Sequence, residues 1–291
     1  MLTLAPQYHM HILDAHQHFW RYDPVQYDWI QDSMETLRQD YLPEQLRPIY
    51  EANQISGCIA VQASSTEEES VTLLKYANEN DFIKGVVGWV DLCKPGVEER
   101  LHHFSQHPKF KGVRHVLQNE QVDFMERPDF LHGMASLAPY NLSYDILIYP
   151  RHLFSAWQMV KKFPEQKFVI DHLAKPSVKS KQFANWKDLL MNFADCPNVY
   201  CKLSGMVTEA DWKQWRYPDF VPVLQAATEV FGPDRLMFGS DWPVCLLAAS
   251  YKNVLDIVKT YTQDWEEEQK NKMFYINAVQ FYNLDVSWIS E

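Results

Sequence analysis

The sequence predicts an α/β fold, a (β/α)8 TIM barrel, and three observations predict it. Short β-rich runs recur along the chain, and helical patterns separate them. Parallel neighbours need a crossover, so this alternation indicates a parallel sheet. The units number about eight, the count that closes a barrel. With 291 residues and 46% hydrophobic content, the chain can bury one large core. Length alone also allows two domains; the strand count, with no internal repeat, low-complexity tract or Gly/Ser linker, decides for one domain over 1–291.

The first strand is read over His11 to Phe19, where Asp14-Ala15-His16-Gln17-His18 closes an apolar run. Alternation along an extended chain puts His16 and His18 on one face. His9 and His11 form a second HxH of opposite phase, nearer the strand's start, and belong to the bottom rim or the surface. Further strands are expected over Gly57 to Ala63, Lys84 to Asp91, Gly112 to Leu117, Tyr144 to Tyr149, Phe168 to His172, Val199 to Ser204 and Leu236 to Asp241. Thr66-Glu67-Glu68-Glu69 has the spacing of a capping box before Val71, Leu74 and Ala77. Leu153, Trp157, Val160 and Phe163 form a helical stripe, and Pro43 and Pro164 bound segments rather than interrupt them. Two irregular stretches, Arg21 to Tyr41 and Lys175 to Asn185, follow the first and sixth strands. They are candidate walls or lids for the C-terminal face of the barrel.

Composition excludes several function classes. Lys and Arg total 27 against 38 Asp and Glu, a net charge of −11 with no long basic run. Nucleic acid and anionic membrane are therefore unsuitable partners. The N-terminus lacks the marks of a signal peptide and no segment approaches about 18 apolar residues, so a soluble, cytoplasmic protein is expected. Cys58, Cys93, Cys196, Cys201 and Cys245 are odd in number without CxxC spacing, and are expected as buried thiols.

The strand ends carry the chemistry. Strand one offers His16 and His18, strand two Gln62, strand four Arg114 and His115, strand six Asp171 and His172, strand seven Lys202 and Ser204, and strand eight Asp241. His16, His18, His172 and Asp241 supply three nitrogens and a carboxylate, a set suited to zinc or a similar divalent ion. Without metal, the same four residues can hold a water between a carboxylate base and imidazoles that polarise a carbonyl.

Six motifs in order, DAHQHFW, KGVVGWVDL, FKGVRH, FVIDHLAKP, VYCKLSG and RLMFGSDWPV, resemble the amidohydrolase-related (amidohydrolase 2) family of sugar-lactone hydrolases. The resemblance runs from about Ile12 to Leu284. It implies a barrel of the amidohydrolase superfamily that opens an aldonolactone, such as L-fuconolactone or L-rhamnonolactone, to the aldonic acid. Carried over by motif, His16, His18, His172 and Asp241 are the catalytic or metal positions, and Arg114 and Lys202 face substrate. Gln62 and His115, at neighbouring strand ends, are counted with the substrate-binding residues. Two-metal amidohydrolases carry a bridging lysine carbamate or glutamate on strand four, where this chain has Gly112-Val113-Arg114-His115. One divalent metal at most is therefore expected, zinc first, and it need not be essential.

Ester hydrolysis then assigns the roles. Asp241 takes the proton of the attacking water and returns it to the ring alkoxide, while a metal ion, an imidazolium or Arg114 stabilises the oxyanion. Among ten tryptophans, Trp20, Trp29, Trp89 and Trp242 lie at or beyond strand ends, and Trp20 is the candidate for stacking on the sugar. Glu209 is placed to bond sugar hydroxyls or to cap the next helix. The expected partner is a small sugar lactone, and a homodimer is an allowed assembly. Two alternatives remain open: a zinc-dependent decarboxylase of the same superfamily, and a catalytically silent sugar-binding barrel.

Overall fold

The computed structural model describes residues 10–285. Eight strands form one parallel sheet in sequence order: β1 Leu13–Gln17, β2 Gly57–Val61, β3 Ile83–Gly88, β4 Phe110–His115, β5 Ser143–Ile146, β6 Phe168–Ile170, β7 Val199–Leu203 and β8 Leu236–Phe238. Each is followed by a crossover helix: α1 Pro43–Asn53, α2 Glu67–Glu79, α3 Val97–Ser105, α4 Pro128–Ala135, α5 Leu153–Lys162, α6 Ala184–Leu190, α7 Val221–Phe231 and α8 Tyr251–Tyr261. Strands such as β2 are buried along their whole length, as expected where helices cover one face and the barrel interior the other. No helix among the described residues is long and apolar enough to cross a membrane.

The barrel has two cores. One lies between sheet and helices. The other fills the interior with Leu13, Ala15, Ile59, Val61, Val87, Val169 and Met237. It is plugged from below by the C-terminal segment, which runs through α9 Glu267–Asn271, a π-turn Lys272–Ile276 and α10 Asn277–Phe281 to Tyr282 and Leu284. His11 packs at this end, its ring centroid 5.4 Å from that of Tyr275. His9 lies outside the described residues.

The seam between β8 and β1 is closed just beyond the strands. Asp241 N donates to His16 O at 2.8 Å and His18 N to Trp242 O at 2.7 Å. The buried Asp14 carboxylate accepts from Ser240 N and from the Tyr50 hydroxyl, both at 2.9 Å, and burial pushes it up to about 6. Gly239 allows this approach, because a Cβ there would sit 2.8 Å from His16 Cβ. Arg235, at the opposite end of β8, satisfies carbonyls of Phe193, Ala194, Cys196, Val199 and Val230.

Local expectations are corrected in detail. The strands stop earlier than read, so His18, His172 and Asp241 stand on the turns after β1, β6 and β8. At α2, Thr66 Oγ1 accepts from Glu69 N at 3.2 Å, but Glu69 turns away from the reciprocal bond. Its carboxylate takes Ala63 N, Ser64 N and the Tyr27 hydroxyl instead. Of the residues named after that box, Val71 is exposed, while Leu74 and Ala77 are buried with Ser70 and Leu73. Four cysteines are buried; Cys93 is partly exposed.

Candidate active site

The site is built from the turns that leave β1, β6 and β8. His16 and His18 alternate along an extended segment, so their Nε2 atoms meet at 3.2 Å. The Nδ1 side of each ring is engaged from behind. His18 Nδ1 donates to Val61 O at 2.7 Å, His172 Nδ1 pairs with Ser204 Oγ at 2.8 Å, and His16 Nδ1 faces Asp171 Oδ1 at 3.2 Å. Each ring thus turns Nε2 inward. Asp241 Oδ1 lies 3.4 Å from His18 Nε2 and 3.9 Å from both His16 Nε2 and His172 Nε2.

The turn carrying His172 is strained. His172, Leu173, Ala174 and Lys175 all have φ between 52° and 57°, one turn in the left-handed region with no glycine in it. Such a conformation costs about 1–2 kcal/mol per residue. Its surroundings hold it in place: Lys175 N donates to His172 O at 2.7 Å, and the Trp186 indole donates to Leu173 O at 2.7 Å. Gly205 faces the imidazole so closely that a Cβ would lie 2.5 Å from His172 Nδ1. Asp241 itself has φ 58°. Strain that is over-determined in this way is characteristic of functional sites.

Under the imidazoles lies a buried ionic layer. Asp171 receives Arg114 Nη1 at 3.1 Å, Lys202 Nζ at 3.0 Å and His16. Lys202 also pairs with Asp145, which accepts from the Tyr282 hydroxyl at 2.9 Å. Burial raises the Asp171 carboxyl, yet Lys202, His16 and Arg114 outweigh it and hold the group well below the carboxylate range. Burial pushes Asp145 up to about 6 against the pull of Lys202. Burial also drives His172 down to about 4 and His16 well below the usual imidazole range, so both rings are neutral at neutral pH. Asp241 is raised by burial but lowered further by His172, His18 and Lys175; the net is an ionised carboxylate.

A cavity of about 820 Å³ opens above this floor, within the usual size of small-molecule sites. His18, His172, Asp241 and Arg114 form its base, Trp29, Val25, Gln26 and Ala63 one wall, and Lys175, Thr208 and Leu147 another. The donor atoms of His16, His18 and Asp241, all within 4.8 Å of one another, fit a divalent cation, with His172 Nε2 3.9 Å from Asp241 Oδ1 beside them. Bonds of about 2.0–2.2 Å in a tetrahedral site imply ligand separations of about 3.3–3.6 Å, close to the 3.2–3.9 Å observed.

The expected substrate-binding residues divide. Arg114 reaches the cavity, while its guanidinium also donates to Gln62 O. Lys202, expected to face substrate, is fully buried in the ionic layer, because two carboxylates hold it there. Gln62 is buried, its amide spent on Arg114 O at 3.1 Å. His115 turns outward to Glu120 at 2.9 Å and to the Trp89 indole. Trp20 is buried among Tyr27, Trp29 and Tyr41, its indole donating to Gln39 O at 2.9 Å; Trp29 lines the cavity in its place. Glu209 lies 3.8 Å from Lys175. Sequence reasoning missed Asp145 and Lys175 and left Asp171 without a role. A lone aspartate inside the buried run Tyr144-Asp145-Ile146 is the signal for the first; no local signal marks the second.

The arrangement has relatives. Residues 13–284 match the family described as Amidohydrolase. The L-fucono-1,5-lactonase of Burkholderia multivorans is 40% identical over 86% of this chain and 88% of its own length. That of Burkholderia ambifaria is 31% identical over 94% and 96%. A crystal structure of a Burkholderia multivorans amidohydrolase with bound zinc superposes with a TM-score of 0.91 at 38% identity, covering 94% of this chain and 99% of the other. A parallel (β/α)8 barrel that gathers a β1 HxH, a β6 histidine and a β8 aspartate at one end, matched to this family almost from end to end, makes the chain a member of the amidohydrolase family.

Proposed function

We propose that the chain hydrolyses the ring ester of a neutral sugar lactone and releases the aldonic acid. One observation carries the reading: His18, His172 and an ionised Asp241 meet at the floor of a cavity beside the Arg114 guanidinium, with the buried His16 Nε2 3.2 Å behind His18 Nε2. The two lactonases matched over most of their length support this reaction class, and L-fucono-1,5-lactone is the substrate to try first.

The steps follow from the residues. Asp241, the one ionised carboxylate on the cavity floor, accepts a proton from water as the water oxygen adds to the lactone carbonyl carbon. His18 and His172 orient that water, and the neutral His172 does not compete for its proton. Arg114 supplies positive charge at the base of the cavity as the carbonyl oxygen becomes an oxyanion. When the ring C–O bond breaks, Asp241 returns the proton to the departing oxygen, and one water has been consumed. His16, His18, His172 and Asp241 are the residues that would hold one divalent ion, zinc first, which when bound supplies Lewis acidity at this point. A second ion has no bridging ligand, since β4 offers Arg114, tied to Asp171, and His115, turned to Glu120.

The test is a panel of aldonolactones followed by proton release at neutral pH, with and without chelator. Turnover of a sugar lactone is expected. Release of carbon dioxide from an unsaturated acid, with every lactone inert, would replace this reading by the decarboxylase.

A further inference from the structure

The left-handed turn delivers two side chains to the cavity. His172 and Lys175, three residues apart, both line it, although the turn between them is strained at four successive residues. His172 belongs to the floor. Lys175 has no part in the steps above, yet the same strain presents it.

Its setting is unusual for a lysine. Only 18% of its side chain is exposed, and its Nζ stands 3.8 Å from Glu209 Oε1, whose side chain is 22% exposed. That separation is too long for a hydrogen bond, and neither the ammonium nor the carboxylate has a hydrogen-bonding partner among the described residues. The Tyr149 ring lies 5.5 Å from Nζ and satisfies charge without accepting a directed bond. Largely buried charges are normally paired and hydrogen-bonded. Here three N–H donors and several carboxylate lone pairs are held ready beside each other. The loops bearing them are joined by the bond from Lys179 N to Glu209 O at 2.9 Å, so the gap is a built one. Both groups also lie within electrostatic reach of Asp241.

We propose that Lys175 and Glu209 are specificity-determining residues that read one sugar hydroxyl close to the reacting carbonyl: Lys175 donates to its oxygen while Glu209 accepts its proton. A hydroxyl is a neutral group that both donates and accepts at a single atom, and it fits between an ammonium and a carboxylate 3.8 Å apart with slight widening. A lactone lacking the hydroxyl leaves both charges desolvated and unmet, which discriminates more strongly than any loss of apolar contact. The pair rests on the lactonase reading and adds what that reading lacks, the means by which a hydroxylated ring is chosen over a bare one.

The experiment compares kcat/KM for L-fucono-1,5-lactone and for δ-valerolactone, in wild type, Lys175→Met, Lys175→Arg and Glu209→Ala. Lys175→Met is expected to cut the preference for the sugar lactone by a factor on the order of 10 or more, mostly through KM. Lys175→Arg should restore part of it, because the guanidinium still donates, and Glu209→Ala reports independently should Lys175→Met fail to fold. If wild type hydrolyses both lactones and every variant keeps its preference, the inference is overturned while the lactonase stands. A wild-type enzyme inert on all lactones overturns both.

Discussion

Two sets of charges share the top of this barrel, and they are treated in opposite ways. The deeper set, Asp145, Asp171, Lys202 and Arg114, is buried, and two carboxylates meet two cations at contact distance. The shallower set, Asp241 and Lys175 with His18 and His172, faces the cavity, and Lys175 and the neighbouring Glu209 leave donors and acceptors uncommitted. His16 joins them, with Nδ1 on Asp171 below and Nε2 on the cavity side. Removing charge from water is tolerated where opposite charges compensate it, so Asp145, Asp171 and Lys202 are scaffold, while Arg114 is anchored in that layer and also reaches the cavity. Incomplete compensation beside a cavity marks groups that wait for a ligand. A chemically capable side chain at a strand end can belong to either set.

The largest effect that can break this division is expected at Lys202. Lys202→Met leaves Asp145 and Asp171 buried with one cation fewer, and stability should fall by about 3–5 kcal/mol in urea unfolding. Adding Asp145→Asn should recover part of the loss. A Lys202→Met variant of wild-type stability with a raised KM would return Lys202 to the substrate.

Asp241→Asn tests the shallower set. The variant should keep its stability within about 1 kcal/mol while kcat falls by a factor on the order of 100 or more. Near-normal turnover in a well-folded protein would remove Asp241 from the mechanism.

A smaller effect separates the rim from the floor. Glu69 ties the Ala63-Ser64 turn to Tyr27, and burial pushes its carboxyl from 4.5 up to about 7 against three hydrogen-bond donors. Between those two values the folded state binds more protons than the unfolded state, so stability falls as pH rises through the window and levels off above it. The stability lost across the window is about 3 kcal/mol. Asp14 and Asp145, both near 6, act in the same direction. Glu69→Gln should therefore flatten part of the slope of melting temperature against pH. An unchanged slope would show that the carboxyl titrates normally.

The smallest effect concerns the tryptophans. Trp20→Phe loses one hydrogen bond to Gln39 O, about 1 kcal/mol of stability, and should leave KM unchanged. Trp29→Phe should alter KM. The reverse result would put Trp20 back against the sugar.

Much of the site was legible because its logic is local. HxH works through the two-residue period of an extended chain, and that period survives even though β1 ends at Gln17 and His18 stands beyond it. Asp171 was visible beside His172, but its service to Arg114, Lys202 and His16 depends on β4, β7 and β1 arriving around it. Lys202 was misplaced for the same reason. Alternation says that it enters the barrel, and depth is set by which carboxylates lie across the interior. Trp20 and Trp29 differ by nine positions in one loop, and only the closure of that loop through the paired backbone bonds of Trp20 and Tyr41 buries one and presents the other.

By itself the sequence determined what depends on neighbours along the chain: eight β-rich runs with helices between, the HxH pair, the motifs that resemble the family, and a charge balance suited to a neutral substrate. Tertiary structure decided what depends on partners far apart in sequence. It set which charges are neutralised below the floor, which remain open above it, and how a left-handed turn after β6 brings Lys175 beside Glu209. The physical reason is that backbone periodicity is encoded over two to four residues, whereas desolvation and compensation of a charge are settled only when segments more than 30 residues apart close around it.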